Sequence, residues 1–378
     1  MRLLHTTKLE LEGFDTHELA GIDYAILSHT WSIDRQQPEF TYDDLINSHE
    51  RRGQGWQKIE DCCELARDQE IDYIWIDTCC INADNSRELE EAINSMYRFY
   101  QQAKVCYAFL SDLHTTSLVD LAACRWFTRG WTLQELLAPP EVLFYNAQMY
   151  PVGTRSDLAE QIAGITNIDK HFLKTSGRIR VDTASIAQRM SWASRRQTTK
   201  REDNAYCLMG LFNVSMFLHY GEGACNAFFR LQEQILKKPV DESLFAWSSA
   251  KGSDYDKHGM LATSPKDFQY CQHVTRTKFL KQRPPIQWGG RGLEFHYVPG
   301  SVVDFSARAA LFGSLRKDLW ARLDCQDESG KEIMIHLQKD PDGAARSYYR
   351  TDAVTRHYNE HHNWKSISAN FDWEFKKL

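Results

Sequence analysis

No stretch of this sequence approaches the roughly 18 consecutive apolar residues that a membrane-spanning helix needs, and the opening Met1-Arg2-Leu3-Leu4-His5 lacks the apolar core of a secretory signal. A cytoplasmic setting is therefore expected. Basic residues are not in excess: 45 Lys and Arg face 51 Asp and Glu, for a net charge of −6, which argues against a surface that coats nucleic acid. The local cluster Arg195, Arg196, Lys200 and Arg201 reads as a solvated helix end. Zinc-knuckle spacing is missing too. The cysteines include two adjacent pairs, Cys62-Cys63 and Cys79-Cys80, where neighbouring side chains diverge, and buried free thiols in a reducing compartment are the expected reading. The phosphate-cradling pattern G-x-x-x-x-G-K-[ST] does not occur, and Gly53-Gln54-Gly55 and Gly289-Gly290-Arg291-Gly292 are too weak to replace it. His357, His361 and His362 sit among Arg356, Asn359, Glu360 and Asn363 and read as a polar tail rather than a metal site, so neither metal nor resident cofactor is expected.

What is present is a folded profile, 42% hydrophobic and 25% charged, in a chain long enough for two or three packed units. Tyr24-Ala25-Ile26-Leu27 is a short apolar run that ends in the polar Ser28-His29-Thr30-Trp31, as a buried strand would. Gln57 to Arg67 carries Ile59, Cys62, Cys63 and Ala66 at helical spacing. Tyr73-Ile74-Trp75-Ile76 is a second buried strand, ending at Asp77 and Thr78. Asn85 or Ser86 can cap a helix whose Ile93, Met96, Tyr97 and Tyr100 lie on one face. Val105 to Leu110 is a third strand, Arg125 to Leu137 reads as a helix stopped by Pro139-Pro140, and Val142 to Tyr145 is a fourth strand.

Strands that alternate with helices predict an α/β fold with a mostly parallel sheet, which places ligands outside the carboxyl ends of its strands. From about Asp157 to Lys238 the pattern is helical, in Ser185–Arg195, Glu202–Leu211 and Ala224–Leu236. After Ser248, alternating runs such as Gly292–Val298 and Glu332–Leu337 predict a β-rich unit. The expected division is 1–150 for the α/β domain, 151–247 for a helical segment packed on it, and 248–378 for the β-rich C-terminal domain.

Three blocks carry a family resemblance. They are Tyr24-Ala25-Ile26-Leu27-Ser28-His29-Thr30-Trp31; Trp75-Ile76-Asp77-Thr78-Cys79-Cys80-Ile81-Asn82, with the acidic helix from Glu88 to Met96; and Arg125-Trp126-Phe127-Thr128-Arg129-Gly130-Trp131-Thr132-Leu133-Gln134-Glu135-Leu136-Leu137-Ala138-Pro139. In order and at these spacings they resemble the fungal heterokaryon-incompatibility (HET) domain. Ala187–Ala193, Glu202–Tyr206 and Tyr220–Gly223 resemble the helical segment that commonly follows it. The family often has Asp where this chain has Asn82, which puts a charge role there in doubt. The resemblance implies a TIR-like, Rossmann-like core and a cell-death effector in fungal allorecognition. Its implied partners are itself or other death-signalling proteins, without nucleic acid or a membrane span.

Some TIR domains split NAD between ribose and nicotinamide, so the resemblance implies NAD as a candidate substrate. That cleavage needs little machinery: the leaving group is already cationic, and one carboxylate can stabilise the oxocarbenium-like transition state. Glu88 and Glu91, one helical turn apart, and Asp77 are the candidate catalytic acids. Ser28, His29, Trp31, Arg129, Trp131 and Glu135 are the candidate substrate contacts. Each has a structural reading beside it: solvated helix carboxylates for Glu88 and Glu91, a turn cap for Asp77, core or interface aromatics for Trp31 and Trp131, and an ion pair between Arg129 and Glu135. Ser28 and His29 are sequence neighbours with no evident third partner, which disfavours a serine-hydrolase triad. The alternative to an enzyme is a non-catalytic assembly module that triggers death by recruiting partners. If these residues share one rim of the sheet, the enzymatic reading gains; if they scatter, it loses.

Overall fold

In the computed structural model the apolar runs of the first 155 residues become the strands of one sheet. The structure describes residues 1–277 apart from 20, 33, 35, 48–49, 116, 175–176, 178, 239–240 and 249–258, and beyond them 287–289, 292–296, 302–303, 318–339, 348–355 and 372–375. Two units are distinguished, one formed by Met1–Val181 with Arg196–His219 and the other by Asp182–Arg195 with Tyr220–Leu378.

The first unit begins with β1 (Arg2–His5), β2 (Leu11–Gly13), α1 (Thr16–Leu19), β3 (Tyr24–His29), α2 (Tyr42–Ile46) and α3 (Gly53–Asp68). It continues with β4 (Tyr73–Trp75), α4 (Asp77–Cys80), α5 (Ser86–Gln102), β5 (Val105–Phe109), α6 (Thr132–Leu137), β6 (Val142–Tyr145), β7 (Pro151–Thr154) and α7 (Ala159–Thr166). The strand order is β2-β1-β4-β3-β5-β6-β7. The four middle strands run parallel, and the β1–β2 hairpin and β7 extend the sheet antiparallel at its two edges. The expected α/β class and parallel core are therefore present. The edge strands were not foreseen, because Arg2–His5 and Pro151–Thr154 are too short and too polar for their periodicity to register.

β3 lies centrally and is buried along its whole length. β4 and β5 lie on opposite sides of it, so the connections leaving β3 and β4 diverge there, which is where open sheets of this kind expose a crevice. The ladders also fix which way side chains point. Leu27 is level with Tyr107, whose hydroxyl donates to the Leu65 carbonyl of α3 at 3.3 Å, so odd-numbered β3 residues face α3. Tyr24, an odd number of residues away and so on the other face, donates to the Phe99 carbonyl of α5 at 2.6 Å, so even-numbered residues face α5. α5 itself starts on the Asn85 cap, which accepts from the Glu88 amide at 3.2 Å, and buries Ala92, Ile93, Met96, Phe99 and Tyr100.

The helix expected over Arg125–Leu137 is interrupted. A single 3-10 turn covers Arg125–Thr128, and α6 starts only at Thr132. The cause is tertiary: Arg129 and Gln197 form a parallel bridge, and the Gly130 amide donates to the Gln197 carbonyl at 2.8 Å. A side chain at position 130 would fall 2.5 Å from Thr198 Cγ2, so glycine is what lets the two segments meet. Beyond α6, buried Arg155 donates to the carbonyls of Leu136, Pro139 and Pro140 at 2.9, 2.8 and 2.9 Å, closing the end of the third sequence block.

Helices α8 (Ile186–Ala193), α9 (Asp203–Tyr206) and α10 (Ala224–Leu236) follow, with α9 much shorter than the helix expected over Glu202–Leu211. In the second unit, β8 (Thr275–Arg276), β9 (Gln287–Gly289), β10 (Gly292–His296), β11 (Val302–Val303), β12 (Asp318–Gln326), β13 (Glu332–Lys339), β14 (Tyr348–Thr355) and β15 (Asp372–Phe375) are all paired antiparallel. The β character expected after Ser248 is present. Among the described residues no helix is long and apolar enough to cross a membrane.

Candidate functional site at the end of the central strand

The pleat of β3 decides what Ser28 and His29 can do. Being adjacent, they point to opposite faces of the sheet, and each becomes the centre of its own cluster.

On the α5 face Ser28 is fully buried. Its hydroxyl accepts from the Trp126 indole N–H at 2.8 Å and donates to Glu135 Oε2 of α6 at 2.5 Å. Tyr100, whose hydroxyl donates to the Leu27 carbonyl at 2.8 Å, also lies within hydrogen-bonding range of Glu135. Burial raises the Glu135 pKa to about 8, with the nearby Asp77 charge adding to the effect against the Ser28, Tyr100 and Arg129 contributions. Glu135 is thus mostly a neutral acid near pH 7. It forms no ion pair with Arg129, whose guanidinium donates instead to Thr199 Oγ1 at 2.8 Å. Trp131, half-buried, donates its indole N–H to Asp203 at 3.1 Å. Beside them Arg196 is buried and donates to the Arg129 carbonyl and to Thr132 Oγ1 at 2.8 and 2.9 Å, and burial lowers its pKa to about 10.

On the α3 face His29 is buried between two elements. Its Nε2 meets Asp77 Oδ1 at 2.8 Å and its Nδ1 meets the Lys58 ammonium at 2.8 Å. An ammonium can only donate, so Nδ1 accepts and the ring proton sits on Nε2, donating to Asp77. Trp31 donates its indole N–H to the other oxygen of Asp77 at 2.8 Å, while 52% of the residue stays exposed. β4 stops at Trp75, level with Ile26, so β3 runs on past it and its last residues lie beside Asp77, the first residue of α4. Burial favours a neutral Asp77, yet the facing His29, the two N–H donors and Lys58 more than offset it and hold the carboxyl below its ordinary range. Lys58 also pairs with Glu39, where burial is likewise outweighed by His29, Lys58 and the Ser32 amide, so this carboxyl too lies below its ordinary range.

The remaining acids lie apart from both clusters. Glu88 is paired with Arg2 and accepts the Asn82 amide at 2.9 Å, so it ties β1 to the start of α5. Glu91 is exposed and pairs with Arg87 one turn away at 3.2 Å. Asn82 caps the next turn through its side chain, accepting from the Asp84 amide at 3.1 Å, a task for which amide and carboxylate serve alike. Among the described residues no group of His, Cys, Asp and Glu could hold a metal ion, and the histidines at 357, 361 and 362 lie outside them.

The structure therefore brings Ser28 to Glu135 and, separately, Trp31 and His29 to Asp77. Lys58, Glu39 and Trp126 were not singled out from the sequence. Lys58 left one signal: it lies three residues after buried Gly55 and four before buried Cys62, on the apolar stripe of α3, where an unpaired lysine would be costly.

The family model described as Heterokaryon incompatibility protein (HET) matches residues 24–124, and the Domain of unknown function (DUF8212) matches residues 226–286. The chain is 42% identical over 268 residues to the Vegetative incompatibility protein HET-E-1 of Podospora anserina, a match that covers 68% of this chain and 19% of that protein. The chain thus aligns with only a small share of that relative. No solved structure matches.

Proposed function

The chain carries a fungal HET domain, and from that premise we propose that it is an effector of heterokaryon incompatibility that brings about cell death by hydrolysing a nicotinamide nucleotide such as NAD. The observation that carries the chemical part is Asp77: a carboxylate kept ionised although only partly exposed, next to a half-exposed indole, past the end of a parallel strand. Its charge suits the positive charge that develops at the ribose carbon as the glycosidic C–N bond breaks. The bonding pair leaves with the nicotinamide nitrogen, whose ring becomes neutral, so no acid has to protonate it. Water then bonds to the ribose carbon and loses a proton to solvent. The open face of Trp31 can stack on the departing ring or the base. Of the candidate acids Asp77 suits this role best, since Glu88 is neutralised by Arg2 and Glu91 stands in solvent beside Arg87.

The test is nicotinamide release from NAD by the purified chain. Asp77→Asn is expected to lose about 100-fold or more in rate, whereas the Glu88→Ala/Glu91→Ala double variant keeps most of it. Equal rates for wild type and Asp77→Asn would sink the enzymatic reading. The exposure of Trp31 also suits a non-catalytic assembly surface. Killing that survives Asp77→Asn but is abolished by Trp31→Ala selects that second reading.

A further inference from the structure

The contacts around His29 do not end at Lys58. Lys58 passes to Glu39, and Glu39 Oε1 accepts the backbone amide of Ser32 at 2.7 Å. Ser32 is the residue after Trp31, whose indole N–H returns to Asp77. The path from Trp31 through Asp77, His29, Lys58, Glu39 and Ser32 back to Trp31 is therefore closed. Its elements come from distant parts of the chain: β3 and the residues after it, the loop carrying Glu39, α3 and the start of α4.

Each link has a directional consequence. The Lys58 ammonium can only donate, so His29 Nδ1 must accept from it, and this fixes the tautomer presented to Asp77. Lys58 in turn holds its place through Glu39, for both side chains are only 10% exposed. Glu39 uses one oxygen on Lys58 and the other on the Ser32 amide, so the same carboxylate that seats the ammonium also seats the backbone next to Trp31.

We propose that Lys58 and Glu39 are positioning residues, closing a hydrogen-bonded ring that locks His29 as the Nε2–H tautomer and sets Trp31 and Asp77 in one fixed geometry. The part of this inference that concerns catalysis rests on the reading that Asp77 and Trp31 serve the reaction; the tautomer lock does not.

The experiment uses the full chain labelled with 15N. Long-range 1H–15N correlation reads the His29 tautomer, and hydrogen exchange reads the Trp31 indole proton, with the signals assigned by His29→Gln and Trp31→Phe. Wild type is expected to show the Nε2–H form at neutral pH. Lys58→Met should give a mixture of tautomers and speed exchange of the Trp31 indole proton by about tenfold. Lys58→Arg, which keeps a pure donor at that position, should restore the wild-type tautomer. Glu39→Gln should loosen the indole in the same direction, and it tests the ring independently if Lys58→Met does not fold. Nicotinamide release should fall about tenfold or more in Lys58→Met and recover in Lys58→Arg. An Nδ1–H form of His29 in wild type overturns the proposal. So does an unchanged tautomer and unchanged indole exchange in both Lys58→Met and Glu39→Gln. If the tautomer and exchange respond as expected while wild type releases no nicotinamide, the ring stands and the glycohydrolase reading falls.

Discussion

Glu135 and Asp77 are two carboxylates close enough to feel each other, and their surroundings push their proton affinities apart. An ordinary glutamate loses its proton near 4.5, whereas burial takes Glu135 to about 8. Between these values the folded chain holds a proton that the unfolded chain has released. The stabilisation from this group is therefore complete below about pH 4.5 and is lost as pH rises through about 8. Thermal melts from pH 5 to 9 should show a falling midpoint, worth at most on the order of 4 kcal/mol, and Glu135→Gln should flatten that slope. Asp77 works in the other direction. Its stabilisation is present above its ordinary value of 3.8 and is lost as pH falls through its lowered pKa, so an acid-side decline should persist in Glu135→Gln. The sequence could place Glu135 in a block and mark it as an acid. It could not reveal a neutral one, because that follows from burial beneath segments far apart in the chain, which outweighs the hydrogen bonds from Ser28 and Tyr100.

At the scale of elements, α3 delivers Lys58 because the loop before it can pass very close. A Cβ on Gly55 would lie 2.6 Å from the Phe40 amide nitrogen and 2.7 Å from the Pro38 carbonyl oxygen, both backbone atoms flanking Glu39. In a free helix Gly→Ala would be stabilising by up to about 1 kcal/mol. Here the clash should dominate: Gly55→Ala is expected to lower stability by about 2 kcal/mol, measurable by urea unfolding. It should also loosen the Trp31 indole, since Glu39 is displaced with its loop. Elements of this sort were largely legible. The apolar runs at Tyr24, Tyr73, Val105 and Val142 became the parallel strands, and on α5 Ile93, Met96 and Tyr100 are buried as their spacing requires, while Tyr97 lies against Gly210 instead. What failed was continuity across Arg125–Leu137, where helical spacing persists but a pairing with Gln197, 68 residues from Arg129 along the chain, takes over the backbone. No local pattern can announce a partner that far away.

On the scale of the whole molecule, the first unit is built from two stretches of chain, with Arg196–His219 joining the sheet domain after the intervening residues 182–195 have gone to the other unit. The returning stretch is held by specific contacts. Asn94 of α5 clasps Met216 by accepting its amide and donating to its carbonyl, each at 3.1 Å, and Glu90 accepts the Leu218 amide at 3.0 Å. Asn94→Ala should cost about 1–2 kcal/mol and accelerate hydrogen exchange over residues 213–219, while protection of β3 and β5 stays unchanged; equal acceleration in the strands would refute the assignment of this clasp. The expected boundary near residue 150 rested on a change of pattern, and pattern does not show a chain that returns. That return also sets a schedule for biosynthesis. Gly130, Trp131 and Asn94 leave the ribosome well before Gln197, Asp203 and Met216, to which they bind. At ordinary rates of translation the gap is on the order of 10 s. During that interval the sheet domain has its strands but not its completing segment, so a nascent chain can finish this domain only after Met216 has emerged.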